Sequence, residues 1–433
     1  MVQDAKILML AYYYPPLNTV SVLRNFQVSK EFVQHFARTY VISSTNRKRF
    51  AAGDFEFPDI EIFDAVTFDY KTVLSLRKNK SVNIAHTEKN NPLSALFVKL
   101  SRSVPFSFII GEGGFFYILH SFFIAQKLIR HHKIKYIYTS FGPISDHFTA
   151  YILKFFFPNL IWIADYRDLP VSSILDNVLF RNFQHRFHKF ILKKAQLVTT
   201  VSTGLAARIN EYIAGTPEKK CFILRNGIEA EILNFKRQPF EKFTFAYTGS
   251  MYGYEHVDIF METIYGLIQK NKINRSDIRI IYAGKDQTLW QNEANKFGLK
   301  DIFIPKGIVS RAVSYDIQRN AHINLVFSAT EKGNDGIMTT KFYEYLAASN
   351  PVAVIINGKN KDEEFENIMS DFNAGIVTYT AEARTELPDF ILKNYTDWKI
   401  FGDIKRPDNS EKIKTFIWKN MGNNFVQKIS DIS

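Results

Sequence analysis

Residues 334–351 read NDGIMTTKFYEYLAASNP. A loop through Asn334, Asp335 and Gly336 runs into a helix that the pattern starts near Thr340. That helix ends at Ser349-Asn350, before Pro351, which cannot continue it. Lys341 falls in its first turn and Glu344 one turn in, and a strand over 352–356 follows. The first amides of a helix have no intrahelical acceptor, so this start is a place to hold a phosphate. Lys341 adds a cationic donor there, and Glu344 an acceptor for a sugar hydroxyl. A solvated helix face would use the same two residues. Glu344 lies four residues after Thr340, outside the spacing of a capping box.

Other polar clusters fall where strands are expected to end. Asp165, Arg167 and Asp168 fall at the end of a strand over 160–166, and Arg225-Asn226 at the end of one over 222–225. Gly249 and Ser250 follow 243–247, and Gly284 and Lys285 follow 278–283. Strand ends in doubly wound sheets are where ligands bind, though loops alone place polar residues there too. His147 stands at the start of a helix expected over 146–157 and also fits a cap-region histidine.

The elements that must position these residues alternate. KILMLAYYY, residues 6–14, is a near-continuous apolar run, as in a strand buried on both faces. Pro15-Pro16 ends it, a helical stripe covers 24–36, and a strand follows at 40–44. This is a βαβ unit with a right-handed crossover. Strands at 136–141 and 197–202 continue the series, with helices at 116–131, 180–194 and 204–212. Residues 234–242, polar and containing Pro239, form a seam. The alternation then restarts, with a helix at 257–269, strands at 302–304 and 323–327, and a helix at 311–320. Periodicity weakens after Val377, and residues 411–432 read as a helical tail. The fold class is α/β, with two doubly wound domains. Residues 71–91 are polar, basic and without a clean period, as in a long loop with some helix.

The 433 residues include 46% hydrophobic side chains, enough to fill two cores, and 40 Phe. A single cysteine, Cys221, excludes an intramolecular disulfide framework and a cysteine-based zinc site. The formal net charge of +12 points to nucleic acid, anionic lipid or a phosphorylated substrate, but no nucleic-acid signature accompanies it. No signal peptide is visible. The most membrane-like stretch, 104–125, is interrupted by Gly111, Glu112, Gly113, Gly114 and His120 and makes a poor spanning helix. A cytoplasmic protein, peripheral at most to the membrane, is expected. In FRNFQHRFHKFILKK, Arg181, Arg186, Lys189, Lys193 and Lys194 accompany Phe183, Phe187, Phe190 and Ile191. Such a helix rests on anionic lipid or packs on its own sheet.

The ordered set KILMLAYYYPP, TSFGPISDH, WIADYRD, VTTVS, LRNGI, FAYTGS and GIMTTKFYEYLAASNPV resembles the GT-B glycosyltransferases, in particular the retaining family-4 type. The resemblance runs from Lys6 to about Ile356. It implies two Rossmann-like domains facing a central cleft. Residues 1–235 would receive the acceptor and 236–404 the nucleotide sugar, with a C-terminal helix from about 405 to 433 packing back on the first domain. Of the family's two glutamates separated by seven intervening residues, the second, which contacts the ribose, matches Glu344; the first falls on Gly336. The family's Arg and Lys after the strand matching 243–247 are missing, because that segment reads GSMYGYEHVD. Lys341, Lys285 or Arg225 would substitute, with Lys341 preferred.

The resemblance thus implies donor contacts from Gly249, Ser250, Arg225, Lys285, Gly336, Ile337, Met338, Thr340, Lys341 and Glu344. Asp168, Arg167 and Asp165 take the catalytic end of the site, where many relatives carry a histidine. It further implies a nucleotide-diphosphate sugar as co-substrate, no cofactor and no metal. The acceptor would be a saccharide or lipid-linked saccharide of surface polysaccharide synthesis, with possible peripheral membrane contact and no nucleic acid. Two other classes share the architecture: a nucleotide-sugar 2-epimerase-like isomerase, and a degenerate non-catalytic binder of nucleotide sugars.

Overall fold

The computed structural model describes residues 2–17, 20–49, 55–70, 72, 92–171, 177–213, 221–251, 255–330 and 338–432. The chain forms two compact units, Met1–Arg225 with Trp418–Ser433, and Asn226–Ile417. The division falls at 225/226, not at 235/236, and the segment 405–417 stays with the second unit. The reason is local pairing. Ile228 bridges Ile417 in parallel, its N–H donates to the Phe416 carbonyl at 2.9 Å, and Ile228, Ile232, Ile413 and Phe416 share one apolar core.

The first unit holds seven strands: β1 (Lys6–Leu10), β2 (Arg38–Ser44), β3 (Glu61–Ala65), β4 (Tyr136–Ser140), β5 (Ile161–Tyr166), β6 (Leu197–Thr200) and β7 (Phe222–Ile223). All are parallel, in the order β3-β2-β1-β4-β5-β6-β7. β1 is wholly enclosed from Ile7 to Leu10, as its apolar run requires. It is shorter than expected because the backbone leaves the sheet after Ala11: the Tyr12 amide donates to the Asp146 carboxylate at 2.9 Å instead of to a neighbouring strand. Helix Val20–His35 buries Phe26, Val28 and Phe32. The tail helix Trp418–Asp431 packs against it, with Phe32 and Phe425 rings 6.0 Å apart.

The second unit holds six parallel strands: β8 (Phe243–Thr248), β9 (Ile278–Ala283), β10 (Phe303–Gly307), β11 (Ile323–Ala329), β12 (Val352–Asn357) and β13 (Gly375–Tyr379). Their order is β10-β9-β8-β11-β12-β13. β13 and the helix Glu363–Asp371 follow β12 where no element was expected, and the helix Ala383–Phe401 lies beyond Val377, where the period weakens. Ala383–Phe401 buries a narrow stripe, Leu387, Ile391 and Tyr395, and carries Pro388 inside it, which obscures the pattern.

In each sheet the winding reverses once, between β1 and β4 and between β8 and β11. At such a switch point the two departing loops diverge and leave a crevice beyond the carboxyl ends of the strands. Any ligand site is expected there.

Candidate functional site

The second unit's switch point is built by the turn after β8 and by helix Thr340–Ala348 after β11. Three hydrogen bonds fix them together. The Thr248 amide donates to the Tyr345 hydroxyl at 2.9 Å, and the Gln318 amide group donates to the Thr248 hydroxyl at 2.8 Å. The same Gln318 nitrogen donates to the Glu344 carboxylate at 3.0 Å. Arg311, from the helix Arg311–Asn320, approaches the other oxygen of Glu344 at 3.7 Å and Glu229 at 3.4 Å. Glu344 is therefore not a loose surface carboxylate. Its side chain is 12% exposed, and it is held from two sides.

Lys341 leans over the end of β8. Its ammonium donates to the Tyr247 hydroxyl, lies 3.4 Å from the Ser250 carbonyl and sits above the Tyr247 ring. Burial lowers its pKa to about 8, while Glu255, Glu344 and Asp286 pull the other way. Gly249 makes room for it. Its φ is +119°, and a Cβ there would stand 3.3 Å from both Cε and Nζ of Lys341. Thr339 caps the helix in an extended conformation without a side-chain hydrogen bond. The first-turn amides of Thr340 and Lys341 precede any intrahelical acceptor.

The structure brings together Gly249, Ser250, Met338, Thr340, Lys341 and Glu344, with Ser250 contributing its backbone carbonyl. Met338 is buried, and its carbonyl accepts from Asn226 at 3.2 Å. Lys285 follows β9 and stands exposed. Gly336 and Ile337 lie outside the described residues. Arg225 is the last residue of the first unit, where its carbonyl accepts from Arg24 at 3.3 Å.

In the first unit the expected trio separates. Asp165 is fully buried, with Arg24 on both oxygens at 2.8 and 2.9 Å and the Thr199 hydroxyl at 2.6 Å. Burial alone would raise its pKa; Arg24 and the hydroxyl outweigh this and hold it below the usual range. Asp165 thus reaches no solvent, and its carboxylate is taken up in fixing Arg24 and Thr199. Arg167 and Asp168, 3.4 Å apart, remain at the surface end of β5, and Asp168 is 62% exposed. Arg167 lies over Gly142 at the end of β4, where φ is +96° and a Cβ would stand 2.9 Å from the guanidinium. His147 is enclosed by the rings of Phe141, Trp162 and Tyr166, and burial lowers its pKa to about 3. It is a neutral core residue.

Sequence reasoning missed several residues here. Tyr13 donates to Glu112, and Tyr70 donates to the other oxygen of that carboxylate at 3.0 Å. Asp146, which receives the Tyr12 amide, also accepts from Tyr117 at 2.6 Å, and burial raises its pKa to about 7. Tyr247, Arg311 and Gln318 were missed in the second unit. No group of three metal-ligating side chains occurs among the described residues.

Solved structures match nearly the whole chain. A sucrose-phosphate synthase from Thermosynechococcus elongatus is 12% identical, with a TM-score of 0.65 over 99% of both chains. The chain has the GT-B fold. The lipopolysaccharide outer core galactosyltransferase WaaB is 12% identical, covering 98% of this chain and 99% of its own, with a TM-score of 0.56. WaaG, a glycosyltransferase involved in lipopolysaccharide biosynthesis, is 11% identical, covering 97% and 95%, with a TM-score of 0.52. No protein-family profile and no curated sequence matches the chain. The architecture expected from sequence, two Rossmann-like α/β domains, is the one observed.

Proposed function

We propose that this chain is a glycosyltransferase that moves a sugar from a nucleotide-diphosphate donor to a saccharide or lipid-linked saccharide, with retention and without a metal. One observation carries this reading. At the switch point of the second sheet, a cationic lysine and the open start of a helix stand beside a carboxylate already fixed by Gln318 and Arg311. That is a donor set for a diphosphate next to an acceptor for a ribose hydroxyl.

As the glycosidic bond to the donor breaks, negative charge accumulates on the departing diphosphate. Lys341 and the first amides of helix Thr340–Ala348 stabilise that charge, and Glu344 orients the ribose. In the first unit, Arg167 or Asp168 positions the acceptor or the sugar, and Asp165 acts there by holding Arg24. The similarity to a lipopolysaccharide outer core galactosyltransferase, WaaB, and to WaaG, a glycosyltransferase involved in lipopolysaccharide biosynthesis, favours a surface polysaccharide as the product.

A thermal-shift screen of nucleotide-diphosphate sugars tests the donor reading, since a ligand that binds only the folded chain raises its melting temperature. At least one donor should stabilise the wild type in the presence of a chelator, and stabilise Lys341→Met much less. Absence of any stabilisation across the common donors would reject the reading. Stabilisation without turnover, with acceptors supplied, would favour a non-catalytic binder.

A further inference from the structure

The chain's net positive charge falls on one unit. The first unit carries 31 Lys and Arg against 17 Asp and Glu, a net +14, and the second 24 against 26, a net −2. Within the first unit, no acidic residue occurs between Glu112 and Asp146 or between Asp176 and Glu211, and Asp146 is buried. The helices Ile144–Phe156 and Arg181–Leu192 therefore present no exposed carboxylate.

Their outward faces are nonetheless aromatic. Helix Arg181–Leu192 sends Gln184, His188, Ile191 and Leu192 inward, so its core-facing stripe is already satisfied and Ile191 belongs to it. Phe183 and Phe190 remain 49% and 54% exposed on the other side, and Phe180 and Phe155 beside them 59% and 60%. The rings touch one another. Phe183 meets Phe187 at 6.5 Å, Tyr151 meets both Phe155 and Phe190 at 5.1 and 5.3 Å, and Phe180 meets Phe106 at 6.4 Å. Exposed bases are interleaved: Arg186 and Lys189 lie on the same helix, and Lys194 lies 5.5 Å above the Phe155 ring. A contiguous apolar patch of this kind, rimmed mainly by basic side chains, marks a contact surface.

We propose that this face docks on an anionic lipid surface, with the phenyl rings entering the acyl boundary and Arg186, Lys189 and Lys194 meeting lipid phosphates. Charge complementarity selects the partner: a mainly cationic and aromatic surface fits an anionic, oily one. The contact is interfacial, since no described helix is long and apolar enough to cross a membrane. Vesicle binding requires neither donor nor acceptor, so the surface and the proposed transfer reaction stand or fall separately.

Co-sedimentation with mixed phosphatidylglycerol–phosphatidylcholine vesicles and with pure phosphatidylcholine vesicles tests this at low salt. The wild type should bind only the anionic vesicles. Phe183→Ser with Phe190→Ser, and separately Arg186→Glu with Lys189→Glu, should each weaken that binding about ten-fold or more at an unchanged melting temperature. Absence of binding to anionic vesicles, or binding that the two serines leave unchanged, would overturn the proposal. So would binding to a single-stranded oligonucleotide with no affinity for vesicles.

Discussion

The ammonium of Lys341 lies 4.2 Å from the centre of the Tyr247 ring and donates to that residue's hydroxyl. The lysine is thereby parked at the end of β8 by groups that carry no formal charge. It is desolvated without a full counter-charge, so its pKa falls to about 8.

This arrangement predicts a pH signature. A diphosphate donor binds the cationic lysine, and the free protein loses that proton near pH 8. Donor affinity should be flat below pH 8 and should fall by up to about ten-fold per pH unit above it. Stability has the opposite sign. Above pH 8 the folded chain holds fewer protons than the unfolded one at this residue, so its contribution to stability rises with pH. Calorimetric titration of a nucleotide-diphosphate sugar at several pH values checks this, and Lys341→Met should bind weakly with no such decline.

Glu344 is held by Gln318 at 3.0 Å and by Arg311 at 3.7 Å. Glu344→Ala removes an ionised acceptor, about 1.5–3 kcal/mol or a 10- to 100-fold loss of donor affinity. Gln318→Leu leaves the carboxylate in place but releases it from one side and should cost less. Equal affinity in Glu344→Ala and wild type, measured by the same titration, would remove the ribose assignment.

The fold was legible because parallel strands enclosed on both faces read as apolar runs, and β1 and β12 each carry one. The start of helix Thr340–Ala348 was equally legible, since Thr340 and Pro351 punctuate it locally. What the sequence could not display is pairing at a distance. Asp165 looked like a partner of Arg167 and Asp168 because they are neighbours in the chain, yet its charge is matched by Arg24, 141 residues away. Gln318 and Arg311 read as an ordinary helix face, and only the packing of two helices brings them to Glu344. Tyr247 is buried in the core, yet its hydroxyl faces Lys341.

Asp165 and Arg24 supply a test that separates support from chemistry. Removing one member of a buried ion pair strands the other, which costs about 3–5 kcal/mol. Asp165→Ala should lower the denaturant midpoint sharply. Asp168→Ala, at an exposed position, should leave it within about 0.5 kcal/mol while lowering any transfer activity. Chemical denaturation of both variants decides between these roles.

Asp146 carries the last expectation, at the switch point of the first sheet. Its carboxyl accepts from the Tyr12 amide and from Tyr117, yet burial outweighs both and raises its pKa to about 7. Between the unfolded value near 3.8 and about 7, the folded chain therefore binds more protons at this residue than the unfolded chain does. Stability from Asp146 is present at low pH and is lost as pH rises through about 7. Asp146→Asn keeps a carbonyl oxygen for the Tyr12 amide and cannot ionise. Melting temperatures of the two proteins should draw apart from pH 5 to about 7, with the wild type losing ground, and run parallel from there to pH 8. Parallel curves would mean that the carboxyl is already charged at pH 5 and that Tyr12 and Tyr117 stabilise it better than burial opposes it.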